Sequence, residues 1–349
     1  MNKLAWGIIS TGRIAKRFAR GLAVSKTGEL IGVASRTQEA ADAFGNEFNV
    51  PRSYGSYEEL LADPDIQAVY IGTPHPMHAE WAVKAAEAGK HILCEKPMTM
   101  NWAEAMSVVE AARRNDVFLM EAFMYRCNPQ TAKIVELIRD KVIGDVKIIQ
   151  ATFSIMAGND PKSRIMSNEL GGGGILDVGC YCASMSRLVA GTALGLPFAD
   201  PTEVKGFGVL NECCGTDEYA VAVLKFPGDI LAQLSCGIHL NQENVVRIFG
   251  TEGNIFIPSP WIVGEQSKII VNRNGQEPQE IEIQSSDLFG IEADVVAACI
   301  ENRQAAPPAM TWDDTLGNMK TLDRWRLEIG LIYNSETRET LLQSMPTDR

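Results

Sequence analysis

From residue 4 to residue 121 the chain alternates short apolar runs with segments of helical periodicity, and nothing else in the sequence constrains the fold so strongly. The runs 4–10, 30–35, 68–72, 91–94 and 117–121 read as strands, and 13–24, 38–48, 77–88 and 102–114 between them read as helices. Strands with little polar alternation, each followed by a helix, belong to a parallel sheet covered on both faces. Asn101 with Glu104 forms a capping arrangement ahead of the fourth helix.

Past a helical stretch near 129–140 the pattern changes. The segments 146–155, 203–210, 219–226, 230–236, 245–249, 254–257 and 268–271 read as strands, mostly without helices between them, so they predict one large, mostly antiparallel open sheet. A run of glycines, 171–174, precedes a helix expected over 175–189, and further helices are expected at 288–302 and 313–333. The resulting fold class is α/β, with an N-terminal dinucleotide-binding domain over 1–123 and a C-terminal α+β domain over 124–349.

A net charge of -12 disfavours a nucleic-acid partner, because a polyanion surface needs a basic stripe to exchange for counterions. No run approaches the roughly 20 apolar residues of a membrane helix, and the N-terminus lacks the apolar core and cleavage site of a secretory signal, so the expected location is the cytoplasm. The eight cysteines are scattered without zinc or redox spacing, and the histidines show no ligand pattern. No metal is expected.

Directly after the first strand stands Ser10-Thr11-Gly12-Arg13-Ile14-Ala15, a variant of the dinucleotide-binding turn with Ser for the first glycine. Gly12 lets the backbone approach a pyrophosphate, and the helix N-terminus behind it offers amide groups and a favourable dipole. Its place on the first strand of an alternating sheet favours the nucleotide reading over a plain strand-to-helix turn. The second strand ends in Ser35-Arg36-Thr37, where an NAD-selective site would carry an acid. A guanidinium and two hydroxyls suit a 2'-phosphate, so NADP is expected ahead of NAD; the alternative is that Arg36 is a solvated loop residue.

Lys96 follows the fourth strand run, where ligands bind in such sheets, and Asp177 and Tyr181 lie four residues apart on an expected helix. Oxidising an alcohol needs a base for the hydroxyl proton, and a phenol serves once a nearby ammonium lowers its ordinary pKa of about 10. Lys96, Tyr181 and Asp177 together make a coherent proton-transfer unit. A helix-cap Asp, a half-buried Tyr and a surface Lys explain the same residues.

The Ser-Thr-Gly-Arg-Ile-Ala turn, Thr73-Pro74-His75-Pro76-Met77-His78, Glu95-Lys96-Pro97 and the run from Gly171 to Tyr181 resemble the glucose-fructose oxidoreductase and inositol dehydrogenase family. Met120-Glu121-Ala122-Phe123 and Tyr181 look most like its dimeric dihydrodiol dehydrogenase and NADP-dependent xylose dehydrogenase branch. The resemblance implies a Rossmann nucleotide domain, catalysis by Lys96 and Tyr181 with Asp177 in support, and Thr73, Pro74, His78 and Glu95 along the cofactor. It implies a cis Lys96-Pro97 bond, Tyr125 and Arg126 near the nicotinamide, substrate binding and oligomerisation as the roles of the domain over 124–349, and a homodimer or homotetramer formed through the C-terminal sheet. Phe153 and Trp261 are candidate aromatic walls of the substrate site. Tyr181 stands where inositol dehydrogenases usually carry histidine, which argues against an inositol substrate.

The function so implied is NADP-dependent hydride transfer to or from a pyranose, an anhydro- or keto-sugar, or a trans-dihydrodiol, a role in carbohydrate metabolism. An NAD-dependent glycoside hydrolase and a non-catalytic dinucleotide-sensing regulator are the alternatives on the same scaffold.

Overall fold

The computed structural model describes residues 3–158, 160 and 163–343. The chain forms two compact units, one of Met1–Thr99, Glu104–Asn128 and Ser286–Thr315, the other of Met100–Ala103, Pro129–Ser285 and Leu316–Arg349. This differs from a single cut after residue 123, since the segment near 286–315 joins the first unit.

The first unit opens with β1 (Leu4–Ile9), α1 (Arg13–Leu22), β2 (Gly28–Ala34), α2 (Gln38–Phe48), β3 (Arg52–Tyr54), α3 (Tyr57–Ala62), β4 (Ala68–Ile71), α4 (His78–Glu87) and β5 (His91–Glu95). Helix α5 (Trp102–Arg114) and β6 (Leu119–Ala122) follow. The strands order as β3-β2-β1-β4-β5-β6, every pair parallel, which is a doubly wound Rossmann sheet. Both faces are covered: all four residues of β4 are buried, as are the last four of β1. Local chemistry marks the helix starts, because Thr37 Oγ1 accepts the Ala40 N–H at 3.3 Å and Ser56 Oγ accepts the Glu59 N–H at 3.3 Å. Strand β3 and helix α3 have no counterpart in the sequence reading; three and six residues are too short for a period to register.

The second unit contains α6 (Pro129–Arg139), β7 (Val146–Ser154), α7 (Cys180–Ala193), β8 (Glu203–Leu210), β9 (Asp217–Phe226), β10 (Ile230–Gly237), β11 (Val246–Gly250), β12 (Gly253–Ile257), β13 (Gln266–Arg273) and β14 (Gln279–Gln284). Its sheet runs β14-β13-β12-β11-β7-β10-β9-β8, antiparallel except where β7 lies parallel to β10. Strand β9 alternates from Tyr219 onward. In β9, Ala220, Ala222, Leu224 and Phe226 are buried while Val221 and Val223 each stay 49% exposed. Helix α7 lies against β7 and β10 and is buried from Cys180 through Thr192. Strand β14 escaped the sequence reading because its outward residues are Gln and Glu, which leave little apolar signal.

Three helices close the chain: α8 (Leu288–Cys299), α9 (Trp312–Ile329) and α10 (Arg338–Leu342). Helix α8 explains why residues near 286–315 join the Rossmann unit. It packs on α1 so closely that a Cβ at Gly21 would stand 2.5 Å from the Phe289 Cβ. Asp294 ties the same helix to the turn before β2, accepting the Thr27 N–H at 3.0 Å and the Ser25 and Thr27 hydroxyls at 2.6 Å. No helix among the described residues is long and apolar enough to cross a membrane.

Candidate active site

In the Rossmann unit the turn after β1 carries the expected nucleotide residues. Ser10 adopts φ 98, a conformation that favours glycine, so this backbone position explains why the usual motif has glycine there. Its Oγ accepts the Gly12 N–H at 3.3 Å, and Thr11 Oγ1 lies 3.3 Å from Ser35 Oγ at the end of β2. Gly12 precedes α1 in an extended conformation and contributes no side-chain cap, and a Cβ there would meet nothing nearer than 3.6 Å. Arg13, Arg36 and Thr37 are exposed, Ile14 is half-buried and Ser35 is buried; the Thr37 hydroxyl also caps α2. An open glycine, amides at a helix start and an exposed guanidinium beyond β2 are the donor set a dinucleotide with a 2'-phosphate requires. The residues present fit that group.

The end of β5 is held from several directions. Lys96-Pro97 is cis. Glu95 Oε2 accepts the Lys96 N–H at 3.2 Å, and the buried Tyr70 hydroxyl donates to Oε1. The His78 ring bridges the loops after β4 and β5, with Nδ1 2.9 Å from the Pro97 carbonyl and Nε2 2.9 Å from that of Thr73. Thr73 is buried and Pro74 precedes a short 3-10 turn over His75–Met77.

After β6, Tyr125 is fully buried with its ring 6.0 Å from Phe123. Arg126 departs from the expectation of a substrate contact. Its guanidinium is fully buried, donating through Nη2 to Asp314 at 2.6 Å and through Nε to the Pro308 carbonyl at 2.5 Å. A desolvated charge must be paired, and this pairing anchors the first turn of α9 and the segment before it.

In the second unit the helix expected over 175–189 begins differently. Ile175–Gly179 form a π turn, with α7 continuing from Cys180, so Asp177 sits in the wider turn and Tyr181 in the first turn of the α-helix. Both are buried, at 8% and 4% exposure. Arg164, on a 3-10 turn over Arg164–Met166, donates to Asp177 Oδ1. Phe153, at the end of β7, and Trp261 enclose the phenol ring. The Phe153 centroid is 5.2 Å from that of Tyr181 at 80°, Trp261 is 5.9 Å away at 66°, and Phe153 and Trp261 stack at 5.7 Å and 14°. Trp261 is fixed by its Nε1–H, which donates to the Thr152 carbonyl at 2.8 Å. Phe153, Tyr181 and Trp261 thus form one aromatic cluster. Among the described residues no cluster of three His, Cys, Asp or Glu is arranged to hold a metal.

The description "Oxidoreductase family, NAD-binding Rossmann fold" fits residues 4–123, and the GFO/IDH/MocA C-terminal domain fits residues 131–256. The trans-1,2-dihydrobenzene-1,2-diol dehydrogenase of Xenopus laevis is 35% identical over 338 residues, covering 94% of this chain and 98% of that protein. The chain belongs to the GFO/IDH/MocA oxidoreductase family. Among solved structures, an aldose-aldose oxidoreductase from Caulobacter crescentus, complexed with glycerol, superimposes with a TM-score of 0.83 at 25% identity, covering 94% of this chain and 97% of that one. A 3-ketoreductase from Actinomadura kijaniata, solved with NADP and TDP-benzene, gives 0.84 at 24% identity, covering 94% and 98%, and shares the fold.

Sequence reasoning assigned no role to three charged groups, Arg164, Glu292 and Glu121. Arg164 had no signal, because its partner Asp177 stands 13 residues away across a glycine-rich turn. Glu292 did have one: it falls on the buried stripe of α8 with Leu288 and Val296. Neither of its carboxyl oxygens has a hydrogen-bond partner among the described residues, and burial, with Glu95 nearby, pushes its pKa well above the carboxylate range. Both effects favour the neutral form of this acid inside the Rossmann unit. Glu121, on β6, accepts the Met98 N–H at 2.8 Å, and burial raises it to about 7.

Proposed function

We propose that this oxidoreductase is NADP-dependent and moves a hydride to or from a hydroxyl-bearing carbon of a pyranose, an anhydro- or keto-sugar, or a trans-dihydrodiol. The observation that carries the reading is Tyr181 enclosed by Phe153 and Trp261 on the helix whose preceding turn bears Asp177. Two stacked rings beside a phenol suit the apolar face of a sugar or cyclic diol, whose hydroxyls need the polar groups.

When bound, NADP supplies the carbon that accepts or gives the hydride. The chain's own residues do the rest. Gly12 and the first amides of α1 hold the pyrophosphate, and Arg36, with Ser35 and Thr37, holds the 2'-phosphate. Ser10, Thr11, Arg13 and Ile14 shape that turn, and Thr73, Pro74, His78 and Glu95 line the cofactor while Glu95 and His78 fix the backbone around Lys96. Tyr181 takes the substrate hydroxyl proton during oxidation and returns it during reduction. The Lys96 ammonium favours the phenolate, and Asp177 orients a substrate hydroxyl. Tyr125 completes the substrate site; Arg126, buried on Asp314, serves to position that segment.

The reading is tested by an NADP(H) absorbance screen against a panel of sugars and diols, with Lys96→Met and Tyr181→Phe as controls. Turnover by the parent and its loss in both variants is expected. Full turnover in both variants would rule out this mechanism.

We propose further that a homodimer or homotetramer forms through the open face of the second sheet. Phe207 on β8, 82% exposed, stands opposite Val221 on β9, and Leu231 on β10 stands opposite Ile148 on β7, which places two exposed apolar pairs on that face. Phe207→Asp should shift the sedimentation coefficient to that of a monomer; an unchanged value would place the interface elsewhere.

A further inference from the structure

We propose that Asp217 is a positioning residue for the proton-transfer step, holding from β9 the first amide of the turn that carries Asp177 and leads into Tyr181. The inference rests on the oxidoreductase reading above and adds to it a residue far from those motifs in sequence.

Asp217 is the first residue of β9 and is fully buried. Its Oδ2 accepts the Ile175 N–H at 2.7 Å, across 42 residues of chain. The first amides of any helix lack partners within it, and Gly174, which precedes the π turn, has no side chain to supply one. A strand carboxylate does the work of the missing cap. A π turn is less stable than an α turn and needs such support from outside.

The glycines at this turn are explained by the same carboxylate. Gly173 has φ 106, and a Cβ there would stand 2.1 Å from Asp217 Oδ1; at Gly174 it would stand 3.2 Å from Oδ2. The chain must be bare at these two positions to pass Asp217 at hydrogen-bond distance. Further ties hold the turn on its other side: the Tyr333 hydroxyl donates to the Gly172 carbonyl at 2.7 Å, and the Gly173 N–H donates to that of Ile165 at 2.9 Å.

Several charged and titratable groups face Asp217. Arg326 comes from α9, Cys236 from β10 and Tyr333 from the segment after α9, while Asp323 and Glu336 are both paired with Arg326. Burial dominates and lifts Asp217 to about 7, against the amide of Ile175 and the charge of Arg326, which favour the ionised form. An ionised carboxylate accepts the Ile175 amide more strongly than a neutral acid does. Positioning therefore tightens as the pH rises through neutrality.

Hydrogen exchange of the peptide spanning 173–182, together with steady-state kinetics on the full chain, tests this in Asp217→Ala and Asp217→Asn. In the Ala variant exchange should accelerate about tenfold and kcat should fall about tenfold to a hundredfold. The NADPH dissociation constant should stay at the parental value, since the nucleotide turn belongs to the other unit. Asn keeps a neutral oxygen for the Ile175 N–H, so it should restore slow exchange and the kcat that the parent shows below pH 7, while losing the limb of log kcat that rises near pH 7. Parental exchange and kcat in the Ala variant would overturn the proposal, as would an Asn variant that retains that limb, a test that survives if the Ala variant fails to fold. A parent with no turnover on any sugar or diol would instead sink the assigned activity, and the exchange data would still decide whether Asp217 anchors the turn.

Discussion

Arg164 donates to Oδ1 of Asp177 from a short turn of its own, with the arginine side chain 36% exposed and the carboxylate side chain 11% exposed. A carboxylate held this way is oriented by its partner, so the role proposed for Asp177 rests on position and charge. Arg164→Met should leave it nearly buried and without this charge-assisted donor. The expected loss is about tenfold to a hundredfold in kcat/KM, with NADPH affinity unchanged. Steady-state kinetics alongside a fluorescence titration of NADPH checks it, and a variant within twofold of the parent would deny Arg164 the role.

In the proposed function, cofactor choice turns on Arg36, exposed just beyond β2. Arg36→Ala should weaken NADPH binding by about tenfold to a hundredfold, the scale of one lost guanidinium–phosphate contact, and should alter NADH binding little. Comparing the two dissociation constants decides the matter. Equal weakening of both would mean that Arg36 does not read the 2'-phosphate.

Much of this was legible in the sequence, and the failures share a cause. Periodicity exposed β1, β2, β4, β5 and β6 because buried parallel strands are uniformly apolar, and β9 showed as a short apolar run, Tyr219 to Leu224, rich in β-branched valine. Phe153, Tyr181 and Trp261 were each nameable as aromatic candidates, and they do meet. Arg126 looked equally suitable, yet its partner Asp314 lies 188 residues on, and no local pattern reports a buried ion pair of that span. The π turn was invisible for a related reason: the Asp217 carboxylate that accepts its first amide sits on another element. Pairings that close over long separations were what the sequence withheld.

Ser10 offers a test of the nucleotide turn that is independent of activity. Its φ of 98 costs a residue with a Cβ about 1 kcal/mol, and its Oγ returns only a 3.3 Å contact with the Gly12 amide. Ser10→Gly relieves that strain but adds chain entropy in the unfolded state, so the two effects partly offset. The expected outcome is a gain of about 0.5 kcal/mol in urea unfolding, with NADPH affinity within twofold of the parent. A loss greater than about 1 kcal/mol would show that the hydroxyl contact outweighs the strain.

Glu121 makes stability depend on pH in a direction opposite to that of an ordinary paired carboxylate. Burial lifts it from 4.5 to about 7, so the folded chain binds its proton more tightly than the unfolded chain does. The stability gained is fully present below pH 4.5 and is lost as the pH rises through 7, with a span on the order of 3 kcal/mol. Asp217 at about 7 and Asp323 at about 6 act with the same sign. The parent should therefore lose urea resistance between pH 5 and 8, and Glu121→Gln, which keeps an acceptor for the Met98 N–H, should lose less of it over the same interval. Parallel pH profiles for the two proteins would mean that Glu121 remains ionised inside the fold, with its charge compensated by the neighbouring Arg126.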